Sequence, residues 1–192
     1  GGRGRGRRRL TVWTSTLRRT GMTVARMHAL WDVVKWRALD EIDAGLMEGM
    51  TYQDVADQMP EEYLARKQDK LNYRYPRGES YKDVFSRVEP VLFELQRSTT
   101  PLLIVGHQAI LRVIYGYMTG KKPEDCPTLT MPLHTIIELR PAGNSCEEIW
   151  HSPMSDAPRT PTVIRAMERR DSDAAEGAPK QAAAAEGAVP AW

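Results

Sequence analysis

The sequence predicts an α/β fold with a mainly parallel β-sheet, and three observations support this prediction. Residues 102–105 (LLIV) are a continuous apolar run without alternation, which is typical of a strand buried on both faces of a parallel sheet. Two further β-type runs occur at residues 10–14 and 135–139. Segments with the apolar spacing of helices separate these runs, so that strands and helices alternate along the chain.

The helix signals follow one another between the strands. Residues 16–30 have apolar side chains at helical spacing and predict one long helix. Thr51 followed by Asp54 predicts a capped helix start. Ser80 predicts the start of a helix that continues to about residue 96. Further helices are predicted from Pro60 and over residues 109–118.

Composition divides the chain into three parts. Residues 10–150 carry the strand and helix signals and predict one domain. Residues 1–9 contain only Gly and Arg and predict a disordered segment, which either contacts RNA or another polyanion or remains a solvated tail. Residues 151–192 are rich in Ala and Pro and predict a disordered tail, in which residues 162–170 form at most a weak helix.

Charge and cysteine content exclude several classes of protein. The formal charge is +2, and it falls to −3 without the five arginines of residues 1–9, so general nucleic-acid binding is not expected of the globular part. No apolar run approaches the roughly 20 residues of a membrane helix. The two cysteines, Cys126 and Cys146, are too few for a disulfide framework and lack the spacing of a zinc site. A cytoplasmic protein is therefore expected.

Polar side chains suited to phosphate follow two of the predicted strands. In an open parallel sheet, ligands bind beyond the carboxyl ends of the strands. His107 stands at such an end, where it either stabilises a phosphoryl group, transfers a proton, or merely ends the strand. Arginine is the best bidentate partner for phosphate. The candidates are Thr14, Ser15, Arg18 and Arg19 after the first strand, and His107, Gln108 and Arg112 after the buried strand.

Acidic, cationic and phenolic side chains supply the remaining candidates. Glu41 has apolar neighbours and is a candidate general acid, whereas Asp40 and Asp43 are equally well explained as turn residues. Cations suit the phosphate of a phosphorylated sugar and phenols suit its hydroxyl groups, although each such residue alone is typical of a solvated helix face. This set comprises Tyr52, Arg66, Lys70, Tyr73, Arg74, Tyr75 and Tyr81.

Four motifs then indicate a family. They are residues 39–45 (LDEIDAG), 73–81 (YRYPRGESY), 105–109 (VGHQA) and 132–135 (PLHT). They resemble the fructose-2,6-bisphosphatase domain of the bifunctional 6-phosphofructo-2-kinase/fructose-2,6-bisphosphatases, in the histidine phosphatase (phosphoglycerate mutase-like) superfamily. The second motif separates this domain from phosphoglycerate mutases. The resemblance implies a three-layer histidine phosphatase fold, with a mainly parallel sheet flanked by helices.

The same resemblance implies the roles of individual residues. Arg19 and His107 would hold the transferred phosphate, and Glu41 would donate a proton to the leaving sugar oxygen. The reaction would convert fructose 2,6-bisphosphate to fructose 6-phosphate and phosphate through a phosphohistidine, without a metal or other cofactor. A kinase domain would be expected upstream. The fructose 6-phosphate portion would contact Tyr52, Arg66, Lys70, Tyr81, Gln108 and Arg112.

The sequence departs from the family in one motif. The family nucleophile lies in Arg-His-Gly at the end of the first, central strand, and this sequence contains no such tripeptide. We therefore expect a domain that is incomplete at its N-terminus and lacks that strand. No Gly-x-x-x-x-Gly-Lys-[Ser/Thr] loop is present either, so kinase activity is not expected of these residues. The alternatives are a catalytically dead sugar-phosphate-binding or regulatory module, an RNA-associated protein, and a broader phosphomonoesterase or mutase.

The four histidines of the sequence are expected to have other roles than that of the family nucleophile. His28 is expected within the first helix, His134 at the start of the last predicted strand, and His151 at the border of the tail. None of them stands in the context of the missing motif.

Overall fold

The computed structural model describes residues 10–28, 31–143, 145–152 and 162–165. The chain forms two compact units, one of residues 1–48 and 65–133 and the other of residues 49–64 and 134–192. None of the helices in the described ranges is long and apolar enough to cross a membrane. The strands are β1 (Thr11–Thr14), β2 (Asp32–Lys35), β3 (Leu102–Val105), β4 (Ile136–Ala142), β5 (Ser145–His151) and β6 (Thr162–Arg165). The helices are α1 (Arg18–Thr23), α2 (Tyr52–Gln58), α3 (Pro60–Gln68), α4 (Tyr81–Arg97) and α5 (Gln108–Met118).

The first unit contains a three-stranded parallel sheet in the order β2-β1-β3. Thr14 of β1 lies opposite Lys35 of β2 on one side and Val105 of β3 on the other. This confirms the strands predicted at residues 10–14 and 102–105 and their parallel arrangement. The strand β2 was not predicted, because it has only four residues (DVVK), of which three are exposed.

The burial of β3 differs from the prediction. All four of its residues are half-buried, rather than buried on both faces. The central strand is instead β1, in which Val12, Trp13 and Thr14 are buried. The physical reason is the strand order: β3 pairs with β1 along one edge and lies at the border of the sheet as far as the structure describes it.

The core of this unit lies between β1 and the helices α4 and α5. Trp13 packs in one cluster with Val84 and Val88 of α4 and Ile110 of α5. These apolar side chains recur at helical spacing, which is why both helices bury one face. Ser80 caps α4 as predicted, because its side chain accepts the N–H of Asp83 while the Asp83 carboxylate accepts the N–H of Ser80. The helix α5 begins three residues after β3 ends, so its start lies close to the carboxyl end of that strand.

The first helix is much shorter than predicted. It ends at Thr23, whereas the sequence predicted a helix over residues 16–30. Gly21 and the threonines have low helix propensity, and Met22, one of the apolar residues in the predicted helix, is 64% exposed. His28 therefore lies in a turn and not in a helix.

The second unit contains α2 and an antiparallel sheet in the order β4-β5-β6. Thr51 and Asp54 form the predicted capping box at the start of α2. The strand predicted at residues 135–139 is β4, and its antiparallel partners β5 and β6 were not predicted. β4 and β5 form a hairpin, whereas β6 pairs with β5 from a later part of the chain.

The predicted tails lie largely outside the described residues. Residues 1–9, 153–161 and 166–192 belong to this part, so their predicted disorder stays a prediction. Thr162–Arg165 is a strand paired with β5, and the weak helix expected there was wrong. Pairing with a neighbouring strand decided the conformation of this short segment, because its own helical signal is weak.

Candidate functional site

The polar residues after β1 and β3 lie together because the two strands are parallel neighbours. His107 is the N-cap residue of α5 and is 6% exposed. Its Nδ1 accepts a hydrogen bond from Nε of Arg19 at 3.0 Å, and its Nε2 lies 2.7 Å from Oγ of Ser15. The structure therefore brings the predicted pair Arg19 and His107 into direct contact, and it adds Ser15 as a buried neighbour.

His107 is neutral at pH 7. Burial is the main reason that its pKa is lowered from 6.5 to about 4, and the positive charge of Arg19 lowers it further. Asp40 acts in the opposite direction, and Arg87 adds a smaller lowering effect. A neutral imidazole beside a guanidinium is a site to which an anion would be attracted.

Glu41 follows the short 3₁₀ turn Arg37–Leu39 and directs its carboxyl group towards the start of α5. Its Oε1 accepts the N–H of Ile42 at 3.0 Å and the N–H of Ala109 at 3.3 Å. Its Oε2 is buried and accepts no hydrogen bond from the residues that the structure describes. Burial raises the pKa of Glu41, although these backbone hydrogen bonds and Arg19 oppose the rise. The carboxyl group is thus suited to hold a proton on Oε2.

Arg87 of α4 holds the loop that carries Glu41. Its Nη1 donates to the carbonyl oxygens of Ala38 and Asp40, both at 2.9 Å. Its Nε and Nη2 bind the two carboxylate oxygens of Glu79 at 2.8 Å each. The sequence reasoning missed Arg87, and the only available signal was that Glu79 belongs to the 73–81 motif.

The loop that carries Glu41 approaches the backbone of residues 76–78 so closely that a side chain at the contact would collide with the opposite backbone. Gly45 has φ +55°, and a Cβ there would collide with the carbonyl oxygen of Pro76. A Cβ at Gly78 would collide with the carbonyl oxygen of Asp43. Two glycines therefore permit this contact, which explains why both occur within motifs that the sequence analysis identified.

A group of cations forms the second part of the site. Arg66 donates from Nε to the Tyr75 hydroxyl at 2.6 Å, and Arg112 donates from Nη1 to the Tyr81 hydroxyl at 3.3 Å. Burial lowers the pKa of Lys70 from 10.5 to about 7, and the positive charges of Arg112 and Arg66 lower it further. The charges that affect the pKa of Lys70 are thus both positive, like its own. An anion bound among these three side chains would relieve their repulsion.

The hydroxyl of Tyr81 is influenced by charged groups from both parts of the site. It is 5% exposed, and burial raises the pKa of its hydroxyl, with a smaller contribution from the negative charge of Glu41. Arg112, which donates to this hydroxyl, lowers the same pKa. Glu41 and the cation group thus act on one phenol within a single unit.

Three other candidate residues, Gln108, Tyr52 and Arg74, lie outside the two groups described above. Gln108 begins α5, and its backbone N–H contributes to the hydrogen bonding of Glu41. Tyr52 begins α2, is 42% exposed and belongs to the second unit, so its place in the site stays a prediction. Arg74 pairs with Asp83 at 2.6 Å and supports the start of α4.

The described residues contain no group of three or more His, Cys, Asp or Glu side chains that could hold a metal ion. Cys126 and Cys146 are both buried and unpaired with each other.

Comparisons with known proteins identify the family to which the chain belongs. The profile of the histidine phosphatase superfamily (branch 1) matches residues 3–152. The chain is similar to 6-phosphofructo-2-kinase/fructose-2,6-bisphosphatase of Arabidopsis thaliana, with 50% identity over 138 residues, which are 72% of this chain and 18% of that protein. It is also similar to fructose-2,6-bisphosphatase of Saccharomyces cerevisiae, with 48% identity over 69% of this chain and 28% of that protein. The chain thus spans less than a third of the length of these relatives.

Solved structures support the fold. A mycobacterial glucosyl-3-phosphoglycerate phosphatase superposes with a TM-score of 0.60 at 22% identity, over 69% of each chain. An α-ribazole phosphatase from Shigella flexneri gives a TM-score of 0.59 at 23% identity, over 68% of this chain and 67% of that one. At these identities the similarity shows the fold alone.

Proposed function

Since the chain belongs to the histidine phosphatase superfamily (branch 1), we propose that its site binds fructose 2,6-bisphosphate and serves the removal of the 2-phosphate. The observation that carries this proposal is the presence of two cationic groups in one unit, Arg19 with His107 and Lys70 with Arg66 and Arg112. Two phosphates on one sugar match two such groups. Similarity to fructose-2,6-bisphosphatases supports the choice of sugar.

The first group holds the phosphate that is transferred. Arg19 donates hydrogen bonds to the phosphate oxygens, and its charge offsets the negative charge that develops on the phosphoryl group. His107 is turned to the same place by its contact with Arg19 at 3.0 Å. No divalent cation is needed in this arrangement, because fixed cationic side chains supply the electrostatic stabilisation.

Glu41 donates the proton to the leaving oxygen on C2 of the sugar. Its Oε1 is occupied by two backbone N–H groups, so the proton resides on Oε2. In the intact enzyme of the family, the phosphoryl group passes to a histidine nucleophile as the bond between phosphorus and the C2 oxygen breaks, and that oxygen takes this proton, which leaves Glu41 as a carboxylate. The carboxylate then accepts a proton from the water that hydrolyses the phosphoenzyme, which restores the acid.

The second group binds the fructose 6-phosphate portion. Lys70, Arg66 and Arg112 face the 6-phosphate, and the Tyr81 hydroxyl interacts with the sugar hydroxyls. We extend this role to Gln108 and to Tyr52, the latter on the resemblance alone. Binding of the dianion would favour the charged form of Lys70.

The nucleophile is not assigned to any residue of this sequence. We infer a phosphohistidine intermediate from the family, but none of the four histidines lies in an Arg-His-Gly motif. His107 has both ring nitrogens engaged, and His151 contacts Glu138 at 2.8 Å in the second unit. We keep one second candidate function, a module that binds the sugar phosphate without hydrolysing it, because none of the four histidines of this sequence is assigned as the nucleophile.

The same proposal includes the layers of the fold, the cellular setting and a kinase region. We place helices on both faces of the parallel sheet, in three layers, by analogy with the fold of the superfamily. The cellular setting is cytoplasmic, in keeping with the two unpaired cysteines. The relatives include proteins that are named as kinase and phosphatase together. We therefore propose that a kinase region is joined to this domain in the same polypeptide.

Thermal unfolding and phosphate release, measured on the same samples, test the proposal. Fructose 2,6-bisphosphate and fructose 6-phosphate should both raise the melting temperature, whereas fructose without phosphate should not. Arg19→Ala should weaken binding of the bisphosphate more than binding of fructose 6-phosphate, since only the former places a phosphate at Arg19. Lys67→Met provides a control, because Lys67 is an exposed lysine near Lys70.

The outcomes separate the two functions. Phosphate release from C2 together with protection establishes the enzyme, and protection without release establishes the binding module. Absence of protection by either sugar phosphate contradicts both.

A further inference from the structure

The side chain of Ser15 is joined by hydrogen bonds to His107 on one side and to Thr20 on the other. A guanidinium group has only donors, so the Nδ1 that accepts from Arg19 carries no proton. The ring is neutral at pH 7, because burial and two nearby arginines lower its pKa. Its single proton is therefore on Nε2, which donates to Oγ of Ser15 at 2.7 Å.

The remaining contacts direct the Ser15 hydroxyl. Oγ also accepts the N–H of Leu17 at 3.2 Å, so both of its lone pairs are used. Its own proton is then donated to Oγ1 of Thr20 at 2.7 Å, and Thr20 donates to the carbonyl oxygen of Leu17 at 2.9 Å. Ser15 and Thr20 are 0% and 3% exposed, so water does not offer alternative partners. Ser15 is thereby an acceptor towards His107, rather than a phosphate ligand or a nucleophile.

We propose that Ser15 is a positioning residue that makes His107 take up a proton at Nδ1 when a phosphate oxyanion binds, so that the ring donates from Nδ1 to the anion and from Nε2 to Ser15. The proposal rests on the proposed function, because it requires a phosphate beside Arg19 and His107. The proton comes from solvent and returns to it when the anion leaves.

The alternative to proton uptake is a shift of the ring proton. An oxyanion has only acceptors, so the lone pair on Nδ1 of the neutral ring would repel it. Moving the proton from Nε2 to Nδ1 would leave Nε2 as an acceptor and require Ser15 to turn its O–H away from Thr20. Thr20 would then lose its donor at a position that is 3% exposed, which makes the shift unfavourable.

The charges around the ring allow protonation once the anion is present. In the free site, Arg19 on α1 and Arg87 on α4 oppose a positive charge on His107, and Asp40 favours it. Glu41 lies close by, since its Oε1 accepts the N–H of Ala109, two residues after His107. A bound dianion adds two negative charges beside Nδ1 and removes the contact with Arg19, so the balance then favours the charged ring.

Nitrogen-15 NMR of the histidine rings tests the proposal on the full chain. Sulfate is the probe, because it stays dianionic from pH 5 to 8 and contributes no titration of its own. The protein is labelled at histidine and observed at pH 6.5 with and without saturating sulfate, and His107→Gln identifies the signals of His107 among the four histidines. Free protein should show a protonated Nε2 and an unprotonated Nδ1, and sulfate should convert Nδ1 to the protonated form.

Two variants and a control separate positioning from mere packing. In Ser15→Ala the Nε2–H has no acceptor, so sulfate should leave the ring neutral with its proton on Nδ1. Thr20→Val keeps Ser15 but removes the acceptor for its proton, so the sulfate-bound ring should shift part of the way towards the same state. Ser86→Ala should behave like the parent protein, because Ser86 is exposed and bonds only the carbonyl oxygen of Lys82.

The results distinguish two failures. A neutral ring in the sulfate-bound parent protein, or protonation of Ser15→Ala to the parent level, overturns the role of Ser15 while leaving the phosphate site intact. If sulfate does not affect the His107 signals of the parent protein, the phosphate site of the proposed function is wrong, and the role of Ser15 is wrong with it.

Discussion

Binding of fructose 6-phosphate should weaken with rising pH because of Lys70. Its pKa in the free protein is about 7, so half of the side chains are charged at pH 7 and about a tenth at pH 8. A phosphate dianion among Lys70, Arg66 and Arg112 favours the charged form, so each unit of pH above 7 should cost about tenfold in affinity until the bound-state pKa is reached. The phosphate remains dianionic over this range and adds no opposing effect.

Isothermal titration calorimetry at pH 6.5, 7.5, 8.5 and 9.0 measures this slope. Lys70→Arg should bind with little dependence on pH, since its charge persists, and Lys70→Met should bind weakly at every pH. Lys67→Met is the matched control and should retain the parent slope. A flat profile of the parent protein between pH 7.5 and 9.0 would refute the reasoning, because neither His107 nor Tyr81 is expected to titrate there.

Three further predictions concern stability and use urea unfolding. Arg87→Met should lower the free energy of unfolding by about 2 kcal/mol, because it removes two hydrogen bonds to Glu79 and leaves the carbonyl groups of Ala38 and Asp40 without the guanidinium that donates to them; a loss no larger than that of exposed Arg97→Met would contradict this. Glu41→Gln should be more stable than the parent protein at pH 7, and the difference should shrink towards pH 4.5. Because the pKa of Glu41 is raised in the folded protein, the contribution of Glu41 to the free energy of unfolding falls as pH increases above 4.5. If the free energies of unfolding of Glu41→Gln and the parent protein differ by the same amount at pH 5 and pH 7, Glu41 is not a buried acid. Gly45→Ala should destabilise by more than Gly49→Ala, since both have positive φ but only a Cβ at residue 45 meets the backbone of Pro76; equal losses would show that φ alone matters.

Local signals in the sequence predicted the parts of the fold that depend on neighbouring residues. Thr51 and Ser80 were assigned correctly as caps, because each bonds a backbone group three residues away. The strands at residues 102–105 and 10–14 were assigned from their own composition. The length of α1 was overestimated, since apolar spacing suggested a helix over residues 16–30, but the exposed Met22 does not help to hold it.

The chemistry of the site was only partly visible in the sequence. Arg19 and His107 were identified as candidates, and the structure shows their contact across 88 positions of the chain. Arg87 escaped notice, since an arginine in the middle of an amphipathic helix is typical of a solvated face. Its role depends on Glu79 and on carbonyl groups from another loop, which no local pattern reveals.

The sequence by itself determined the class of fold, the capped helices and the residue types that suit a phosphosugar. Only the tertiary structure decided that Ser15 lies behind His107, that Oε2 of Glu41 is buried without a described partner, and that Lys70 lies among like charges. The physical reason is the range of the interactions. Caps and strand propensity act over a few residues, whereas burial, charge and the direction of a hydrogen bond depend on groups that meet only when the chain has folded.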